Sequence, residues 1–180
     1  MTDKAQVIAD FDIAWAALCA GDIPALDSLC KTLPDFPHGV DSWVGRRWII
    51  NAIDSHSSAA VNWMIGKGVP LVFRDEEGRN VLQACLEHFE EHKVVHMHDI
   101  MRALIAAGAD VDLKGLNDWT PLHFAIACCD IDSIRILLES SADRTIKTDI
   151  DEYESAEEMA FRDSNPEILK LFHEIPGQKK

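Results

Sequence analysis

Asp118-Trp119-Thr120-Pro121-Leu122-His123-Phe124-Ala125 opens a helix, and Ile134-Arg135-Ile136-Leu137-Leu138-Glu139-Ser140-Ser141-Ala142-Asp143 soon afterwards reads as a second, apolar helix that ends in a turn. The closing turn, Ser141-Ala142-Asp143, has counterparts upstream in Gly68-Val69-Pro70 and Gly108-Ala109-Asp110. The spacings of these turns are 40 and 33, so one unit is seven residues longer than the next. A helical pair repeated at such a period is the mark of a stacked array.

The two stretches resemble one ankyrin repeat, whose first helix opens T-P-L-H-x-A and whose second ends in Gly-Ala-Asp. The residues at the family's Thr position are Arg47, Asn80, Thr120 and Ser155, spaced by 33, 40 and 35, which places the insertion between Asn80 and Gly108. Leu82, Cys85, Leu86 and Phe89 recur at helical spacing, as do Ile100, Leu104 and Ile105. The insert is therefore expected to lengthen both helices of its repeat, with Glu87 to Asp99 forming a protruding hairpin. Asp22 before Pro24, and Asn165 before Pro166, supply helix-capping oxygens and a ring whose missing N–H costs nothing there, so both mark second helices. The resemblance implies an all-α solenoid of about five helix-turn-helix units in one domain, 1–180. Its repeats are 1–41 (an N-terminal cap), 42–74, a lengthened third at 75–114, 115–147, and 148–176 (a C-terminal cap). Trp48-Ile49-Ile50-Asn51-Ala52 stands in for Pro-Leu-His-x-Ala, and Ser155-Ala156-Glu157-Glu158-Met159-Ala160 carries glutamates where the family has Leu and His.

An ankyrin unit cannot bury its apolar face alone, and the stacked units present a concave surface to a partner. Binding, not catalysis, is the function the resemblance implies. Composition points the same way. Over 180 residues, 47% hydrophobic but only 7% aromatic content suits the packing of small-residue helices, and a formal charge of -14 opposes nucleic-acid or anionic-membrane binding while favouring a basic protein partner. There is no signal-peptide pattern and no apolar run of membrane-spanning length, so a cytoplasmic monomer is expected. Five cysteines without a C-x-x-C pair fit reduced, mostly buried thiols.

In the family, partner contacts come from the turn tips before each first helix and from that helix's concave side. The aligned positions are Trp43, Arg46, Glu76, Glu77, Arg79, Glu87, His88, Leu116, Asn117, Trp119, Asp151, Glu152 and Glu154. Trp43 and Trp119 are the candidate anchors, since an aromatic side chain flanked by charge is a common form of binding hot spot; the alternative is that each ring folds back on its own turn. A partner-masking role, as in immunity proteins and inhibitors of basic enzymes, is a sharper form of this reading.

No catalytic residues, cofactor or metal ligands are assigned. His88, His92 and His96 recur every four residues beside Glu91, His98 and Asp99, so metal binding on the His-rich hairpin 88–98 is the alternative of another class. It lacks a second ligand cluster and H-E-x-x-H order, and a solvated hairpin is preferred. Asp149-Ile150-Asp151-Glu152-Tyr153-Glu154 begins like a calcium loop but has Glu154 at the sixth position and Ala160 at the twelfth. Cys85, near His88, aligns with the family's small buried Ala and is expected to be an inert core thiol. Cys128 and Cys129, being adjacent, point to different sides of their helix. The resemblance gives Thr120 and His123 a structural role, tying turn to helix and to the next repeat.

Overall fold

The computed structural model describes residues 4–87, 94–149, 153–175 and 177. Ten α-helices are found among them: α1 (Lys4–Ala20), α2 (Ile23–Thr32), α3 (Trp48–Asp54), α4 (Ser58–Gly66), α5 (Val81–Leu86), α6 (Val94–Ala106), α7 (Pro121–Ala127), α8 (Ile131–Glu139), α9 (Ala156–Asp163) and α10 (Pro166–Glu174). They pack in two layers. The odd-numbered helices follow one another in one row, the even-numbered ones in a second, and each odd helix packs on the even helix that follows it. The described residues contain no β-strand beyond two isolated bridges, Val40 with Arg47 and Lys147 with Ser155, which close the turns ahead of α3 and α9.

Local chemistry explains where the helices start. Asp22, Ser57, Asn80, Asp130, Ser155 and Asn165 each accept a backbone N–H from the first turn of the helix they precede, satisfying amides that have no partner within it. Pro24, Pro121 and Pro166 sit in first turns, where no N–H is missed. Five residues after Arg47, Asn80, Thr120 and Ser155 come Ala52, Cys85, Ala125 and Ala160, all buried. A small side chain there allows neighbouring first helices to approach closely, and Leu18, Ile50, Leu82, Met101, Leu104, Leu122 and Leu137 fill the space between the layers.

The inserted residues do not lengthen both helices as expected. α5 has only six residues and ends at Leu86, whereas α6 has thirteen against nine in α4 and in α8. Residues 94–99, expected in a hairpin, form the first turns of α6; Met97 and Ile100 are buried there, so apolar burial extends the helix backwards. The rest of the expected hairpin, 88–93 with His88 and His92, lies outside the described residues.

Left-handed residues follow the second helices of the three middle repeats, with φ of 72° at Gly68, 99° at Gly108 and 66° at Ser141. Ser141 carries a Cβ in a conformation that costs such residues about 1 kcal/mol, which a glycine avoids. Ser141→Gly is expected to raise stability by up to about 1 kcal/mol, read as a higher midpoint in urea; an earlier midpoint would contradict the backbone assignment.

Candidate functional site

The turns between repeats project from the layer of first helices as a row of fingers, each closed by backbone bonds across its base. In the first finger Asp41 N–H bonds Arg46 O at 2.7 Å, in the second Asp75 N–H bonds Arg79 O at 2.9 Å, in the third Gly115 N–H bonds Trp119 O at 2.8 Å, and in the fourth Thr148 N–H bonds Glu154 O at 3.0 Å. Asp41 and Asp75 also turn a carboxylate inward. Asp41 accepts from the amides of Trp43 and Val44, and Asp75 from those of Glu77 and Arg79, as short acidic side chains do in tight turns.

A regular clamp holds three of these fingers to their helices. Arg46 reaches Asp54 at 3.3 Å, Arg79 reaches Glu87 at 2.9 Å, and Glu154 pairs with Arg162, in each case across eight residues of chain. The corresponding residue of the third finger is Trp119, whose ring meets Phe124 of α7 edge-on at 6.0 Å. The clamp joins the finger's last residue to the end of the following helix. It leaves four expected contact residues engaged within the fold: Arg46, Arg79, Glu87 and Glu154. Arg79 is furthest from a free surface contact, being 6% exposed and bonded to Asp75 as well as Glu87. Spacing of opposite charges by eight residues was the signal for these clamps.

The two tryptophans part company. Trp119 is half-buried, having folded back on its own repeat, while Trp43 is 44% exposed at the first finger. Trp43, Val44 and Arg46 line an open groove of about 270 Å³ together with Phe11 and Trp15 of α1 and Asn51 and Asp54 of α3. Sequence reasoning missed Phe11 and Trp15. The signal was there in α1, which is apolar on two sides: Ala14, Ala17 and Leu18 are buried, yet Ile13 is exposed and Phe11 and Trp15 are only half-covered. Glu76, Glu77 and Asn117 are exposed at the finger tips, and Leu116 is half-buried. His88, Asp151 and Glu152 lie outside the described residues.

Links between fingers keep the row in register. Arg46 also approaches Glu77 at 3.5 Å, and Lys114 pairs with Asp118 and, on the fourth finger, with Asp149 at 3.1 Å. Between the second and third, Asn80 Nδ2 donates to Leu113 O at 2.7 Å, while Gln83 receives Leu116 N–H and donates to Trp119 O, each at 3.0 Å. Gly115 passes so close to Gln83 that a Cβ there would stand 1.8 Å from Oε1 and would displace the Gln83 amide from its bonds to the third finger.

His123 does the corresponding work one repeat further on. Its Nδ1 accepts the Thr120 N–H at 3.3 Å and lies 2.8 Å from the Thr120 hydroxyl, and Nε2–H faces Glu154 O at 3.3 Å across the repeat boundary. Burial holds the imidazole below the usual histidine range, in keeping with a neutral ring that accepts at one nitrogen and donates at the other. His123→Ala is expected to cost about 1–3 kcal/mol, the penalty of leaving buried polar groups unpaired. Because the folded state lowers this pKa below the ordinary value of about 6.5, the stabilisation is full above that pH and is lost as pH falls through the folded value. The gap in Tm between wild type and His123→Ala should therefore shrink on acidification; a constant gap would contradict the assignment.

His98 is buried at the centre of another inter-repeat link, its Nε2 3.0 Å from Asp130 Oδ1. Asp130 caps α8 and receives the Ser133 hydroxyl at 2.7 Å. Burial alone would raise the Asp130 carboxyl, but the bonds from His98 and Ser133 outweigh it and hold the group below its ordinary range. His98 thus turns toward α8, and His96 is exposed. Cys85 is fully enclosed, and burial pushes its thiol far up and away from nucleophilic reactivity; burial takes Cys128 to about 11.

Among the described residues, no helix is long and apolar enough to cross a membrane. A family model described as ankyrin repeats (3 copies) matches residues 49–148. No curated protein matches the chain.

Proposed function

Because the chain belongs to the ankyrin-repeat family, whose repeats serve generally as protein–protein interaction modules, we propose that it is a non-enzymatic recognition protein that binds a basic protein through the finger row and the first-helix face. The observation that carries this reading is the exposed Trp43, set on the first finger beside a second finger tipped by Glu76 and Glu77. The ring offers a large apolar contact at low entropic cost, and the carboxylates, within an overall charge of -14, steer cationic surfaces toward it. In this reading residues 1–180 act as one domain, monomeric and cytoplasmic; Asn117 adds to the contact, and Asp151 and Glu152 are further contact positions proposed on their place in the sequence alone. Trp119, half-buried against Phe124, stiffens the third finger. His88 is proposed as a further contact position on its place in the sequence alone. Masking of a basic enzyme is the form of recognition that a small acidic module without a catalytic site suits best.

The test is capture of the partner from native lysate and measurement of its association at increasing salt. The partner is expected to be basic, and its association rate to fall steeply as ionic strength rises, since separated surface charges are screened beyond about 10 Å at 0.1 M. Glu76→Lys should slow association. An acidic partner, or an association rate indifferent to salt, would overturn the electrostatic part of the proposal.

A further inference from the structure

The aromatic groove does not end at the first finger. Val44 and Arg46, which bound it, also wall a second, smaller notch of about 60 Å³ that opens between the first two fingers and is lined by Asp75, Glu76 and Glu77. The two are chemically unlike. The groove carries three aromatic rings and a valine beside Arg46, Asn51 and Asp54; the notch carries three carboxylates beside Val44, Gly45 and Arg46. Asp54, Asp75, Glu76, Glu77 and Glu87 supply five negative charges around this divide, against the two guanidinium groups of Arg46 and Arg79 that pair with them. Glu76, at the tip, makes no ion pair among those the described residues show.

We propose that this pair of cavities is a bipartite site for one extended segment of a basic protein, with a large apolar side chain in the aromatic groove and an arginine in the acidic notch. The proposal deepens the concave-face reading and rests on it. Its grounds are complementarity of shape and charge. The groove exceeds the roughly 150 Å³ that suffices to admit a benzene ring in an apolar cavity, so it accepts a phenylalanine or leucine side chain. The notch holds a cationic head group in a field that stays negative after the internal arginines are counted, and a guanidinium can bridge Glu76 and Glu77 while its plane rests on Val44. Side chains two apart on an extended strand share a side, so adjoining cavities select an apolar-x-arginine pattern.

The pattern can be tested on the full chain with an acetylated, amidated peptide, Gly-Ser-Phe-Ser-Arg-Ser-Gly, followed through the indole N–H signals of the protein's tryptophans by NMR. Saturable shifts are expected at Trp43 and Trp15 and not at Trp119. Peptides with Phe→Ala or Arg→Glu should bind at least about tenfold more weakly, as hot-spot truncation does. Trp43→Ala, Val44→Ser and Glu76→Lys should each weaken binding of the parent peptide by about tenfold with unaltered melting, all three positions being exposed. Equal binding of the Arg→Glu peptide, shifts centred on Trp119, or no saturable shift would overturn the bipartite site. Shifts at Trp43 that grow with protein concentration in the absence of peptide would also overturn it, assigning the groove to a second copy of the chain. Failure of the wider reading looks different. A native partner that tolerates Trp43→Ala but is lost on Asn117→Arg sinks the groove alone, and one lost only on substitution of α8 sinks both.

Discussion

Replacing Arg79 with alanine should lower stability by about 3 kcal/mol, more than any other single finger substitution. Arg79 is 6% exposed, and its guanidinium donates to Asp75 at 3.1 Å and to Glu87 at 2.9 Å. Asp75 is as deeply enclosed, its side chain 5% exposed, so the variant strands a carboxylate that water cannot reach freely. Removing one partner of a buried ion pair costs about 3–5 kcal/mol because the other charge is left uncompensated; the lower end applies because Glu87 is partly solvated. Urea denaturation at neutral pH measures the loss. The double variant Arg79→Ala with Asp75→Asn should recover part of it, since the stranded charge is then gone. A cost below about 1 kcal/mol would show that the clamp is an ordinary surface pair.

This arginine illustrates what the sequence conveys readily and what it hides. The repeat frame was legible because it rests on local chemistry: T-P-L-H-x-A at 120–125, caps at Asp22 and Asn165, and a left-handed residue at each of Gly68, Gly108 and Ser141 all report backbone geometry within a few residues. His123 was legible for the same reason, since its bonds to Thr120 and the Glu154 carbonyl follow from the frame. The roles of finger residues were not. Whether Arg79 faces a partner or its own helix depends on Glu87, eight residues on, and the frame assigns both to the contact surface. Trp119 takes the place that Arg46 holds in the first finger and has Phe124 beneath it, whereas Trp43 lies three residues earlier in its finger and lines a groove completed by α1 of the preceding repeat. Such differences arise between repeats, where periodicity carries no information. The insertion was located correctly between Asn80 and Gly108, but its division was not, because burial of Met97 and Ile100 favours extending α6 over α5.

Trp43→Ala is the second substitution expected to act strongly, on binding and not on folding. Its ring is an exposed aromatic of the finger row, as is that of Tyr153 on the fourth finger, and truncating a ring that becomes desolvated at the centre of an interface costs about 2 kcal/mol or more. That loss should appear as faster dissociation, about thirtyfold for 2 kcal/mol, because substitutions within one interface act mainly on the off-rate. Melting of the variant should match that of the parent. Trp119→Ala, by contrast, removes the contact with Phe124 and should lower stability, so a loss of binding there would be ambiguous.

The claim that the finger face is the recognition surface is tested most directly by measuring dissociation of the captured native partner from Trp43→Ala and from Arg135→Glu, the latter on α8 in the layer of second helices. The account predicts dissociation about thirtyfold faster from Trp43→Ala and an unchanged rate from Arg135→Glu. An unaltered rate for a normally folded Trp43→Ala, together with loss of binding in Arg135→Glu, would contradict it and place the partner on the layer of second helices.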